Sequence, residues 1–153
     1  MPVDFPPPPN IYSQPTMECF RMAAVRYQVP LPVLFALRDA ERGKSGEILT
    51  NKNGTYDHGY MMINTVWLEK FRQWFGIPAP VFTYNACYSI MAAAYIVRYE
   101  VNRTGNFWKG VGDYHSRTPS LNRHYRIKVE ILAERYQRAL QQRELYLAAG
   151  NSQ

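Results

Sequence analysis

The sequence predicts a mainly α domain of the α+β class, with one small β-hairpin set between helices. Three observations carry that prediction. Apolar residues recur at helical spacing in several separate stretches, and proline or glycine stands at their boundaries. A single Asn-Gly turn signal, Asn53-Gly54, divides two short runs too brief for helices. A chain of 153 residues suits one core, so no second domain is expected.

The elements follow in order. "MPVDFPPPPN" cannot be helical, and residues 1 to 14 read as an extended, proline-rich segment ahead of a domain over 15 to 149. From Thr16, "TMECFRMAAVRYQ" sets Cys19, Phe20, Ala23, Ala24 and Tyr27 on one helical face. "VPLPVLFALRDAERG" restarts a helix with Pro32 in its first turn, runs to Glu41 and meets a stop at Gly43. This second helix is apolar along nearly its whole length, as a buried core helix is. "EILTNKNGTYD" then forms the hairpin, and "TVWLEKFRQWF" an amphipathic helix with Val66, Trp67, Phe71, Trp74 and Phe75 largely on one side. "YNACYSIMAAAYIVRYEVNRT" is long, apolar and rich in small residues, which suits the centre of a bundle. Pro119 opens a closing helix marked by Tyr125, Val129, Leu132, Tyr136 and Leu140, and "GNSQ" reads as a frayed end.

Composition narrows the function classes. With 46% hydrophobic and 20% charged residues the chain is an ordinary folded protein. The net charge of +6 favours anionic partners: nucleic acid, anionic lipid or the acidic peptides of a bacterial wall. The basic residues are scattered, however, and no nucleic-acid motif accompanies them. No apolar run approaches a membrane span, and no signal peptide is visible. No Cys or His cluster has metal-ligand spacing, so neither a metal nor a cofactor is implied. Cys19 and Cys87 are an even pair, open to two readings: a disulfide or two buried thiols.

The chemical signal is Glu41. A carboxylate at the C-terminal end of a buried helix faces the negative end of the helix dipole and loses solvation. Both effects disfavour its charged form, as a general acid at neutral pH requires; the bland reading is an inert surface glutamate. A helix–hairpin–helix path leaves a groove that Glu41 and Asp57 can both line. Such a groove fits an extended glycan, whose cleavage needs an acid for the leaving oxygen.

Three ordered segments carry a family resemblance: "ALRDAERGKSGEILTNKNGTYDHGYMMIN", "NACYSIMAAAYIV" and "WKGVGDYHSRTPSLNRHYRIKV". Over about residues 16 to 130 the chain resembles the soluble, lysozyme-like lytic transglycosylases. The closest group is the small specialised enzymes of conjugative type IV secretion, type III secretion and type IV pili. Glu41 matches the family's catalytic glutamate, while Arg42 stands where serine is usual. Gly59, Tyr60, Met61 and Met62 match a Gly-Leu-Met-Gln segment that shapes the cleft floor, with Met62 replacing a polar glutamine. Asp113, Tyr114 and His115 match an Ala-Tyr-Asn segment whose tyrosine neighbours the acid, and Ser116 completes the Tyr-His-Ser of the secretion-linked group.

The resemblance implies a lysozyme-like fold with its hairpin beside the active-site groove, a Cys19–Cys87 disulfide and a periplasmic location, the signal peptide being absent from this chain. It also implies cleavage of the bond between N-acetylmuramic acid and N-acetylglucosamine in peptidoglycan, giving 1,6-anhydro products and opening the wall for a secretion or pilus apparatus. Glycan strands and assembly proteins of that apparatus are the implied partners, with nucleic acid and an integral membrane segment outside the reading. Gly59, Tyr60, Met61, Met62, Tyr114 and His115 are the implied sugar contacts. Asp57 stays open between a second catalytic carboxylate, as in animal-type lysozymes, and a turn or helix cap. Two rival readings stand: a hydrolase using Glu41 and Asp57, and an inactive glycan-binding scaffold suggested by Arg42 and Met62.

Overall fold

The computed structural model describes Phe5 and residues 13 to 151. Most of the segment read as extended, residues 1 to 14, thus lies outside the described residues, as do the last two of "GNSQ". The described chain runs α1 (Met17–Tyr27), α2 (Leu31–Glu41), β1 (Ile48–Thr50), β2 (Tyr56–His58), β3 (Ile63–Asn64), α3 (Thr65–Phe75), α4 (Ala79–Tyr84), α5 (Ala86–Thr104), α6 (Phe107–Asp113) and α7 (Pro119–Asn151). It is a mainly α, lysozyme-like body with a small antiparallel sheet.

Local chemistry sets the boundaries. Thr16 caps α1 by accepting the Cys19 N–H at 3.2 Å, and Asn64, Asn85 and Asn106 cap α3, α5 and α6 in the same way. Pro32 stands in the first turn of α2, where no N–H is needed. That helix then buries Pro32 to Leu37 without interruption, because α1, α5 and α7 all pack around it. The core of the molecule is α5, whose Ala92, Ala93 and Ala94 are wholly buried and let neighbouring backbones approach. Around it Phe71, Phe75, Phe82, Tyr88 and Tyr95 form an aromatic cluster, with Phe71 and Phe82 at 4.9 Å between ring centres.

Three features depart from the sequence reading. The hairpin pairs Thr50 with Tyr56 as its turn signal implies, but it is extended by β3, in which Ile63 pairs with His58 and Asn64 with Asp57. Two residues show no alternation, so β3 carries no readable period. Val66, expected on the inner face of α3, is exposed, and Leu68 is buried in its stead. α4 and α6 are short helices that fill the connections on either side of α5.

Cys19 and Cys87 are disulfide-bonded, with Cα atoms 5.1 Å apart and a sequence separation of 68. The bond ties α1 to the first turn of α5. Phe5 makes a second tie: only 6% exposed, it enters the aromatic cluster with ring centres 5.3 Å from Phe71 and 5.6 Å from Tyr88. Phe5→Ala is therefore expected to lower unfolding free energy by about 3 kcal/mol, read by urea denaturation. A loss under about 0.5 kcal/mol would show that the ring adds nothing to the core.

Candidate active site

Glu41 is the last residue of α2, where unpaired carbonyls concentrate negative potential. Its backbone continuation is held by Arg42, which adopts the left-handed conformation (φ 56°) and returns its N–H to the Arg38 carbonyl at 2.9 Å. The helix thus stops at Arg42, and Gly43, read as the stop signal, does something else. A Cβ on Gly43 would lie 2.4 Å from the Gly59 carbonyl oxygen and 2.7 Å from that of Tyr60. Glycine here lets the chain leaving Glu41 press directly onto residues Gly59 to Met62.

Gly59 to Met62 form a turn closed by the Met62 N–H on the Gly59 carbonyl at 3.1 Å. Gly59 takes φ +76°, and a Cβ there would lie 2.6 Å from the Phe82 carbonyl oxygen. The close approach of α4 is therefore enough to require glycine here. Met61 is wholly buried, so its side chain offers no surface to a glycan. What it contributes is backbone: its N–H donates to Ser89 Oγ at 2.9 Å and its carbonyl accepts the Tyr114 hydroxyl at 2.6 Å. Tyr60 is half-buried against the core near Phe20, 6.4 Å between ring centres. Met62 sits at φ 53°, a strained position for a non-glycine residue, and its side chain lines the cleft.

That cleft, of about 530 Å³, brings together Glu41, Asp57, Met62, Asn64, Tyr114 and His115. Asp57 comes from β2 and accepts an N–H of the Asn64 side chain at 2.9 Å. It does not cap α3; Asn64 does, through the Val66 N–H. Tyr114 follows α6, and burial together with the carboxylates of Glu41 and Asp57 drives its pKa far above the ordinary value, so it remains a neutral phenol. His115 stacks on Tyr125, with ring centres 4.8 Å apart and planes at 15°. Loss of water on that face draws its pKa down despite Asp57, which favours neutral imidazole.

Tyr125 is the site residue that the sequence reading missed. Its spacing marks it as one of the buried residues of the closing helix, and it is indeed only 7% exposed, yet its hydroxyl donates to Glu41 Oε1 at 2.7 Å. Burial lifts the Glu41 pKa to about 7; the Tyr125 hydrogen bond opposes the rise, Asp57 adds to it, and Lys128 also opposes it. The carboxyl group therefore holds a proton near neutrality while keeping a donor that stabilises its anion. Such a group can act as acid and base in one cycle.

Asp113, next to Tyr114 in the chain, belongs to an ion network centred on buried carboxylates. Glu100, only 1% exposed, accepts from Arg103 Nε at 2.7 Å and from the Arg117 guanidinium at 2.6 Å. Arg103 also pairs with Asp113, which takes a further N–H from Asn122 at 2.7 Å. These contacts bind α5, α6 and α7 together on both sides of Tyr114 in sequence. Among the described residues no group of three His, Cys, Asp or Glu side chains could hold a metal ion.

Two predictions follow from the state of Glu41. Its folded pKa lies above the unfolded one, so between about 4.5 and 7 the folded chain binds the extra proton and stability falls as pH rises. Glu41→Gln is expected to be more stable than the parent at pH 8, by up to roughly 3 kcal/mol, and equal to it near pH 4, measured by urea denaturation. Tyr125→Phe removes a donor to the anion, so the Glu41 midpoint in a carbon-13 carboxyl titration should move upward. A downward or unchanged midpoint would show that the hydrogen bond does not govern the acid.

No family model matches the chain. It is 28% identical over 123 residues to Protein IpgF of Shigella flexneri, which covers 79% of this chain and 80% of that protein. It is also similar to Invasion protein IagB of Salmonella typhimurium strain SL1344, at 26% identity over 102 residues, or 66% of this chain and 63% of that protein.

Proposed function

We propose that the chain is a peptidoglycan lytic transglycosylase with Glu41 as its single acid and base. The observation that carries this reading is a carboxyl group with a pKa of about 7, bonded to Tyr125, in a cleft beside a small sheet. A protonated Glu41 donates to the oxygen joining N-acetylmuramic acid to N-acetylglucosamine, and that bond breaks with the electron pair leaving on the oxygen. The muramoyl N-acetyl group stabilises the cationic carbon. Glu41, now anionic, takes the proton of the muramoyl 6-hydroxyl as its oxygen bonds to that carbon, so the ring closes as a 1,6-anhydro sugar and the acid is regenerated.

The other side chains fit supporting roles. Tyr125 holds the Glu41 carboxylate between the two proton transfers, and Tyr114, with its hydroxyl engaged by the Met61 carbonyl, fixes the wall beside it. Asp57, His115 and the 51 to 55 loop are positioned to meet sugar hydroxyls along the cleft. The disulfide suits an oxidising compartment, and a periplasmic setting agrees with it. The similarity to a protein named for invasion supports work on the wall for a secretion apparatus. One observation favours hydrolysis as a second reading: Asp57 shares the cleft with Glu41 and acts on its ionisation, as a second carboxylate would in a retaining lysozyme.

Digestion of peptidoglycan sacculi followed by mass analysis of the soluble products separates these readings. Products about 18 Da lighter than the hydrolytic ones are expected, with a rate that declines above about pH 7 as Glu41 loses its proton. Glu41→Gln should lower the rate by roughly a thousandfold and Asp57→Asn by less than about tenfold. Reducing-end products, together with loss of activity in Asp57→Asn, would replace the transglycosylase by a hydrolase; binding without products would leave a scaffold.

A further inference from the structure

A second groove, of about 910 Å³, opens where the end of α2 faces α7, and the catalytic reading assigns it nothing. Its walls carry Arg42, Lys44, Lys128 and Arg135, and among the described residues none of these four forms an ion pair. The acidic side chain in the lining, Asp39, is already engaged by Arg38 at 3.2 Å and by the Tyr136 hydroxyl. Between the cations lie Ile127 and Ile131, each 49% exposed. Four cations along an apolar strip repel one another, and they suit a ligand with several carboxylates and small apolar groups.

The groove adjoins the cleft. Arg42 directly follows Glu41, Tyr60 belongs to the turn that presents Met62 to the cleft, and the charge of Lys128 reaches Glu41. A strand lying in the cleft can therefore lay a short side arm along α7. We propose that this groove binds the acidic stem peptide borne by a muramoyl residue next to the bond that is cut. The inference rests on the peptidoglycan reading given above. The groove supplies the match: its cations suit the free carboxylates of such a peptide and its isoleucines suit the alanine methyls. A nucleic acid fits less well, since the lining sets aliphatic Ile127, Ile131 and Leu132 beside the cations, with Tyr60 and His124 as its rings, and base stacking calls for a succession of aromatic faces.

The test uses the full chain and the double variant Lys44→Gln, Arg135→Gln, both exposed positions outside the catalytic cleft. Free stem tetrapeptide, a peptide-free chitotetraose and a random oligonucleotide are titrated separately, with amide chemical shifts as readout. Expected are shifts along α7 with the tetrapeptide, about five- to tenfold weaker binding in the variant, and further weakening by salt. Chitotetraose affinity should stay unchanged in the variant. In cleavage assays the parent should prefer stem-bearing strands over strands stripped of peptide, and the variant should lose that preference while cutting stripped strands at the parental rate. No tetrapeptide shifts, equal affinity in the variant, or tighter binding of the oligonucleotide would overturn the proposal. Failure to cut stripped strands would count against the reaction alone, because the peptide titration does not depend on cleavage.

Discussion

A carboxyl group that must hold a proton at neutral pH needs a dry, negatively biased seat, and much of the structure exists to build one for Glu41. Burial dominates its elevated pKa, and burial there depends on α2 being enclosed by α1, α5 and α7. The aromatic core around Tyr95 and the disulfide between α1 and α5 hold that enclosure together at one end. At the other, Gly43 lets the chain beyond Glu41 sit against the Gly59 to Met62 turn, which Ser89 of α5 and Tyr114 anchor. The acid is thus set by packing first and by its hydrogen bond second.

The buried ions next to Tyr114 in the chain are a separate cost. Desolvating Glu100 and Asp113 is expensive, and ion pairs of this sort often do no better than apolar residues of equal volume. What the network supplies is direction. Two guanidinium groups and one amide, from α5, the segment before α7, and α7, all converge on two carboxylates, which leaves little freedom for the α6–α7 connection that carries Tyr114 and His115. An apolar plug would fill the space without fixing that connection.

Much of the helical frame was legible because it rests on periodicity and on breakers that act locally: Pro32, Pro119 and Asn53-Gly54 each do what their chemistry dictates. Glu41 was legible for a related reason, since a carboxylate closing an apolar helix conflicts with both dipole and solvation. Tyr125 was not. A tyrosine that buries its ring and spends its hydroxyl on a distant residue has the same period as one that only packs, and Glu41 is 84 residues away from it. Gly43 misled in the opposite sense. Its missing side chain looked like a helix stop, whereas it makes room, as Gly59 does, for another part of the backbone, which local sequence cannot report. Whether Cys19 and Cys87 were bonded likewise depended on long-range contact.

Among the described residues several local rules are broken around this cleft, and the breaks adjoin one another. Glu41 stands at the wrong end of a helix for its charge, Arg42 takes a left-handed conformation that glycine would take more cheaply, and Met62 does the same on the facing turn. Each costs on the order of 1 kcal/mol or more, and residues with a free choice of conformation relax out of such states. These do not because the core over-determines them: Arg42 is followed by a glycine wedged against backbone, and Met62 is preceded by a fully buried Met61 bonded at both its N–H and carbonyl. Strain held in place by packing, at Met62 in the wall of the polar cleft and at Arg42 directly after one perturbed acid, fits the pattern in which local rules give way at sites of chemistry. Asp57 and Tyr125 stand inside that arrangement and act on the ionisation of Glu41, whose charge in turn helps to hold Tyr114 and Tyr125 as neutral phenols.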